Sequence, residues 1–155
     1  MGEHFVCIHG AWHGGWCWDG VVAELSKAGH SAEAPTLPGH HPEHDRSSIR
    51  FVDYVDSIVN QLEKQSAPVI LVGHSSAGFL LQAAAPKAVD RIKGLVFLNA
   101  FILPDGKCQF DLVPSEVSEG MRSAAEASAD NCVPVDELSL RRGGAHGRGP
   151  VRRSP

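Results

Sequence analysis

Val69-Ile70-Leu71-Val72-Gly73-His74-Ser75-Ser76-Ala77-Gly78-Phe79 reads as an apolar strand, a turn of small residues and the start of an apolar helix. A serine at the apex of such a strand-turn-helix elbow has its hydroxyl pushed clear of both flanking elements. The backbone N–H groups that open the helix then point to where an oxyanion would sit. Ser75 is therefore the candidate nucleophile. The spacing has a steric cause, because the chain reverses so sharply that the residues two before and two after the serine crowd each other. Gly73 meets that demand fully, Ala77 is one methyl larger than the usual glycine, and Gly78 keeps the first helical turn slim. By itself Gly-x-Ser-x-Ala is a weak signal that occurs in ordinary turns. Context strengthens it: Pro68–Val72 reads as a buried parallel strand and Phe79–Ala85 as a helix.

Outward from the elbow, the chain alternates strands and helices. His4–Ile8 is a short apolar strand that runs into His9-Gly10-Ala11-Trp12-His13-Gly14-Gly15-Trp16, whose glycines free the backbone for close approach. From Trp16 to Gly29 the residues Trp16, Val21, Val22, Leu25 and Ala28 fall on one helical side, with Gly29 as C-cap. Ser31–Ala34 is a second strand. Phe51, Val55, Ile58, Val59 and Leu62 form the apolar stripe of a second helix, and Ile92–Asn99 is a fourth strand. This order calls for an α/β fold, a doubly wound parallel sheet with helices on both faces, and brings His9, Ser75 and Asn99 to the carboxyl ends of their strands. Residues 1–103 form the core on this reading and 104–137 begin a lid of loop and short helices. Residues 138–155, rich in Arg, Gly and Pro, have almost nothing to bury.

Composition bounds the rest. The chain has 155 residues, 43% hydrophobic and 21% charged, ordinary for one globular domain. No apolar run approaches the ~20 residues that span a bilayer, and strand-like sequence begins at Phe5, so a cytoplasmic protein without a signal peptide is expected. Val6 stands where a myristoylation signal would want Ser or Thr. Cys7, Cys17, Cys108 and Cys132 show no zinc spacing and are expected to be reduced and mostly buried. The histidine-bearing loop Pro35–Asp45 reads as an exposed loop in preference to a metal site. The net charge of −4 hides an asymmetry: five arginines and no acid follow Glu137, leaving −9 in residues 1–137. A basic arm for nucleic acid is the weakest reading of that tail. Its Arg-Gly-Ala-Pro bias fits a frameshift or truncation near Glu137, which translation of the other reading frames would expose.

These residues resemble the N-terminal part of an α/β-hydrolase of the methylesterase and hydroxynitrile-lyase branch. The resemblance is carried by His9–Trp16 after the first strand, Leu25 through Gly29-His30, Gly73-His74-Ser75, and Phe97–Asp105 leading into the lid, and it covers roughly residues 4–115. It implies a carboxylesterase for small apolar or aromatic esters, with no metal or organic cofactor and no nucleic-acid or membrane partner. Ser75 would attack the ester carbonyl, the N–H groups of Ala11 and Ser76 would form the oxyanion hole, and Gly10 and Trp12 would line the substrate pocket, although Trp12 serves equally well as a packing residue. His9, His13 and His74 are read as structural hydrogen-bonding residues. Lyases of this group tend to carry Thr in place of Gly10 and Glu in place of His74, so both positions favour an esterase.

The family places its acid and base after two further strands, which this sequence does not show. His146 is the one histidine downstream of Ser75, and the aspartates between them, Asp105, Asp111, Asp130 and Asp136, satisfy the order Ser, Asp, His on paper. Asp105 or Asp136 is the candidate acid. His146, however, lies in a glycine-rich context poorly suited to hold a base within hydrogen-bond reach. The fold is thus expected to be incomplete, with Ile92–Asn99 left as an apolar edge open to self-association. The competing reading is a small-ligand binding protein that keeps the pocket without the triad.

Overall fold

A computed structural model describes residues 2–41, 45–129 and 132–133. Four parallel strands, β1 (His4–Ile8), β2 (Ser31–Glu33), β3 (Val69–Ser75) and β4 (Ile92–Ala100), lie in the order β2-β1-β3-β4. Helices α1 (Asp19–Lys27), α2 (Phe51–Glu63) and α3 (Ala77–Ala84) connect them in turn, and α4 (Ser115–Glu126) follows in the expected lid region. Residues 138–155 lie outside the described residues.

Crossover handedness explains the layering. The step from β1 to β2 runs one way along the sheet and the step from β2 to β3 runs back past β1. Right-handed crossovers in opposite directions put their helices on opposite faces. Accordingly Val6, Ile8, Val69 and Leu71 pack under Val55, Ile58 and Leu62 of α2 and Leu80, Leu81 and Ala84 of α3. Cys7 and Val72, pointing the other way, meet Trp18 and the partly buried Val22 of α1.

Three details depart from the sequence reading. The stretch expected to begin α1 is a turn of 3-10 helix over Gly15–Trp18, and no residue of α1 itself is buried; Trp16 and Val21 are 64% and 44% exposed. Its apolar side was legible, but the sheet beneath covers only part of it. Of the cysteines, only Cys7 is buried, and Cys108 is exposed, because it caps a 3-10 turn on the surface. The loop after β2 is not simply exposed either. Leu37 is buried, its N–H donates to His9 Nε2 at 3.0 Å, Gly15 N–H donates to Thr36 Oγ1 at 2.9 Å, and His40 Nδ1–H donates to the His13 carbonyl at 2.8 Å. These bonds tie residues 36–40 to the loop after β1.

Among the described residues β4 is the outer strand, pairing with β3 alone, and Leu95, Val96 and Leu98 are 39%, 41% and 49% exposed. No helix is long and apolar enough to cross a membrane among the described residues.

Candidate active site

The chain reverses its winding direction between β1 and β3, and in open parallel sheets the crevice at that point, beyond the carboxyl ends of the strands, is where ligands bind. Ser75 ends β3 there. Its φ is +56°, a left-handed conformation that costs a non-glycine residue about 1–3 kcal/mol and persists only where the surroundings impose it. Two contacts do so. The register of β3 against β4 slips between His74 and Ser75, and the N–H of Phe101 donates to the Ser75 carbonyl at 3.0 Å. Among the described residues the other non-glycine positions with positive φ, Trp12 and Asn99, stand after β1 and near the end of β4, so backbone strain gathers at the carboxyl ends of the strands.

Close packing accounts for the glycines. A β-carbon at Gly78 would stand 2.2 Å from the Phe101 carbonyl oxygen, and one at Gly73 would stand 2.8 Å from the Leu81 side chain. Ala77 is fully buried, so its single methyl is accommodated. A β-carbon at Gly10 would lie 2.8 Å from Ser75 Cβ and 3.0 Å from the His74 carbonyl oxygen, so the loop after β1 sits directly on the elbow. Any side chain there would push that loop and the elbow apart.

Around this junction the Ala11 peptide is held at both ends. Its N–H donates to Ser76 Oγ at 2.8 Å, and its carbonyl accepts from His13 Nδ1–H at 2.8 Å. Ser76 is the N-cap of α3, with its own N–H at the start of the helix. Trp12 is half exposed, and its indole N–H donates to the Val133 carbonyl at 2.9 Å, which joins the loop to the chain beyond α4. Trp12 is therefore not a buried packing residue.

Histidines crowd the site, and burial disfavours the charged form of His9, His40 and His74. His9 is 1% exposed; its Nδ1–H donates to the Gly10 carbonyl while Nε2 accepts from Leu37, which fixes its tautomer. Burial above all pushes its imidazole down to about 4. Burial likewise lowers His40 and His74, with His13 adding to the effect on both and Arg46 to that on His40. His74 meets the rings of His13 and Trp18 edge-on, and among the described residues its ring makes these contacts in place of the hydrogen bonds expected of it. No group of three or more His, Cys, Asp or Glu side chains is arranged to hold a metal ion among the described residues.

The structure thus brings Gly10, Ala11, Ser75 and Ser76 together, with Trp12 at the rim. Asp105 stands exposed on the turn after β4. His146 and Asp136 lie outside the described residues. Among the described residues no side chain hydrogen-bonds the Ser75 hydroxyl. Sequence reasoning missed the tie between Ala11 and Ser76, since a contact across 65 residues leaves no local mark; a hydroxyl-bearing residue directly after Ser75 was the available hint.

The sequence profile of the Alpha/beta hydrolase family matches residues 5–151, and the chain belongs to that family. It is similar to the carbendazim hydrolyzing esterase of Nocardioides sp. (strain SG-4G), 34% identical over 114 residues that make up 72% of this chain and 47% of that protein. The (S)-hydroxynitrile lyase of Manihot esculenta is 38% identical over 106 residues, 66% of this chain and 41% of that one. Among solved structures, an extracellular alpha/beta-hydrolase from a Paenibacillus species superimposes with a TM-score of 0.84 at 30% identity, covering 90% of this chain and 57% of that one. Its description notes structural and functional homology to tobacco salicylic acid binding protein 2. A plant methylesterase and a hydroxynitrile lyase both stand among the relatives, the branch expected from the sequence. The chain spans about half the length of the curated relatives it matches.

Proposed function

We propose that the protein is a serine carboxylesterase acting on small apolar or aromatic esters. The observation that carries this reading is Ser75 held at φ +56° between β3 and α3, with Gly10 seated against it. In the reaction Ser75 Oγ attacks the ester carbonyl, and the N–H groups of Ala11 and Ser76 receive the oxyanion of the tetrahedral intermediate. Such a donor is worth about 3–4 kcal/mol in acyl transfer. The alcohol leaves, and water then hydrolyses the acyl-serine. Gly10 and Trp12 border the acyl pocket. The base takes the Ser75 proton and returns it to the leaving alcohol, and chain order assigns it to His146, oriented by Asp105 or Asp136. The esterase names of several relatives support ester hydrolysis.

A second reading is a small-carboxylate or ester binding protein that keeps the oxyanion donors without turnover. It is favoured by one observation: no described side chain hydrogen-bonds the Ser75 hydroxyl. Intact-mass spectrometry after exposure to a fluorophosphonate separates the two readings. Stoichiometric addition, lost in Ser75→Ala, is the result expected of the esterase. No addition to the wild-type chain would replace the esterase with the binder.

A further inference from the structure

We propose that the Ser76 hydroxyl is an internal competitor for the oxyanion donor of Ala11: it accepts that N–H in the empty site and gives it up when a charged oxygen arrives. The inference rests on the assignment of the Ala11 and Ser76 N–H groups as oxyanion donors. The bond is short, 2.8 Å from Ala11 N to Ser76 Oγ, and both residues are half-buried.

A simpler role for this bond would be to pin the loop, but the loop is already pinned without it. Gly10 is wedged against Ser75 and the His74 carbonyl. The Ala11 carbonyl is fixed by His13, and Trp12 reaches across to Val133. On either side of the Ala11 N–H, then, the backbone has its own anchors. What the Ser76 hydroxyl contributes is an acceptor for an N–H assigned to the oxyanion.

The chemical consequence follows from the difference between neutral and charged acceptors. A hydrogen bond to an ionised oxygen is roughly twice as strong as one to a neutral oxygen. Exchanging the Ser76 hydroxyl for the neutral carbonyl of a bound ester therefore gains little, whereas exchanging it for an oxyanion gains much. The competitor cancels binding in the ground state and leaves a net attraction for charge. The hydroxyl subtracts the same amount in both exchanges, so it weakens ground-state binding without altering the difference between the two states that drives a chemical step. The same logic applies to a carboxylate, which carries its charge already and must still displace the hydroxyl.

The test compares wild type, Ser76→Ala and Ser76→Thr by NMR, following the Ala11 amide. Hydrogen exchange reads the bond itself, and titration with benzoate reads the competition. Expected are exchange at Ala11 about ten-fold faster in Ser76→Ala than in wild type or Ser76→Thr, and a benzoate Kd about three- to ten-fold lower in Ser76→Ala alone, the range one neutral hydrogen bond covers. Equal exchange in all three proteins overturns the inference, as does benzoate that leaves the Ala11 amide unmoved. Weaker benzoate binding in Ser76→Ala also overturns it and makes the hydroxyl a pin for the loop. Neither readout requires turnover. A Ser75 that takes no fluorophosphonate would sink the esterase reading and leave the outcome at Ala11 decisive.

Discussion

The two faces of the sheet are built unequally. Beneath α2 and α3 a continuous cluster of thirteen buried residues runs from Val6 to Ala88, while beneath α1 the described residues bury only Cys7, Trp18 and Val72. Both faces began from the same kind of sequence, strands of near-continuous apolar character and helices with an apolar stripe. The difference lies in how much helix each face receives. Two helices cover the first face, and one helix with none of its residues buried covers the second. The thin face also holds the one buried side-chain polar atom without a partner among the described residues, the Trp18 indole nitrogen. An unpaired buried donor costs about 1–3 kcal/mol. The elbow is consequently anchored on the thick face through Gly73 and Leu81, and it turns His74 toward the thin one.

The largest test of this inequality is a matched pair of truncations. Leu81→Ala, at a fully buried site under the elbow, should lose about 3 kcal/mol in urea unfolding, whereas Val22→Ala on α1 should lose less than about 1 kcal/mol. Similar losses at the two positions would mean the faces are equally well packed.

A second test strikes the seam where residues 36–40 close over the end of β1. His9 is held near pKa 4 by burial, against about 6.5 in an unfolded chain. The unfolded state therefore binds more protons between these values. The stability His9 contributes is complete above pH 6.5 and falls away as the pH drops toward 4, by up to about 3 kcal/mol. In His9→Gln, which keeps an acceptor for the Leu37 N–H, that part of the acid slope should vanish from a series of denaturation curves. An unchanged slope would place the acid sensitivity elsewhere.

The smallest effect on stability is expected at the side of β4 that no described strand covers. Leu98→Lys should change unfolding by no more than about 0.5 kcal/mol, since Leu98 is half exposed already. Light scattering should nonetheless respond. Wild type is expected to show a mass above 16.6 kDa that grows with concentration, and the variant to approach the monomer, because a charge on an apolar edge opposes strand-to-strand pairing. A monodisperse wild-type monomer would contradict the edge as a contact surface.

The strands and the elbow were legible because each depends on local signals: apolar runs, a Gly-x-Ser spacing fixed by crowding, and strictly alternating strands and helices. Gly29, expected to cap α1, has φ +84°. What could not be read depends on partners distant in the chain. Nothing in Pro35–His41 announces that Leu37 and His40 bond back to His9 and His13, and the apolar stripe of α1 does not reveal how little lies beneath it. Cys108 was misjudged for a related reason: typical burial of free cysteine says nothing of a particular residue capping a surface turn.

The hydrogen bond between Ala11 and Ser76 joins positions 65 residues apart, whereas the paired bonds of Gln82 with Leu103, which lock α3 to the chain after β4, close only 21. Loop-closure entropy makes the longer connection about 1 kcal/mol more costly. By that measure the contact between α3 and the chain after β4 is the cheaper of the two to close. Ser75 and Ser76 share the elbow itself, so the larger ordering cost falls on the loop after β1 and on the Ala11 N–H that it carries.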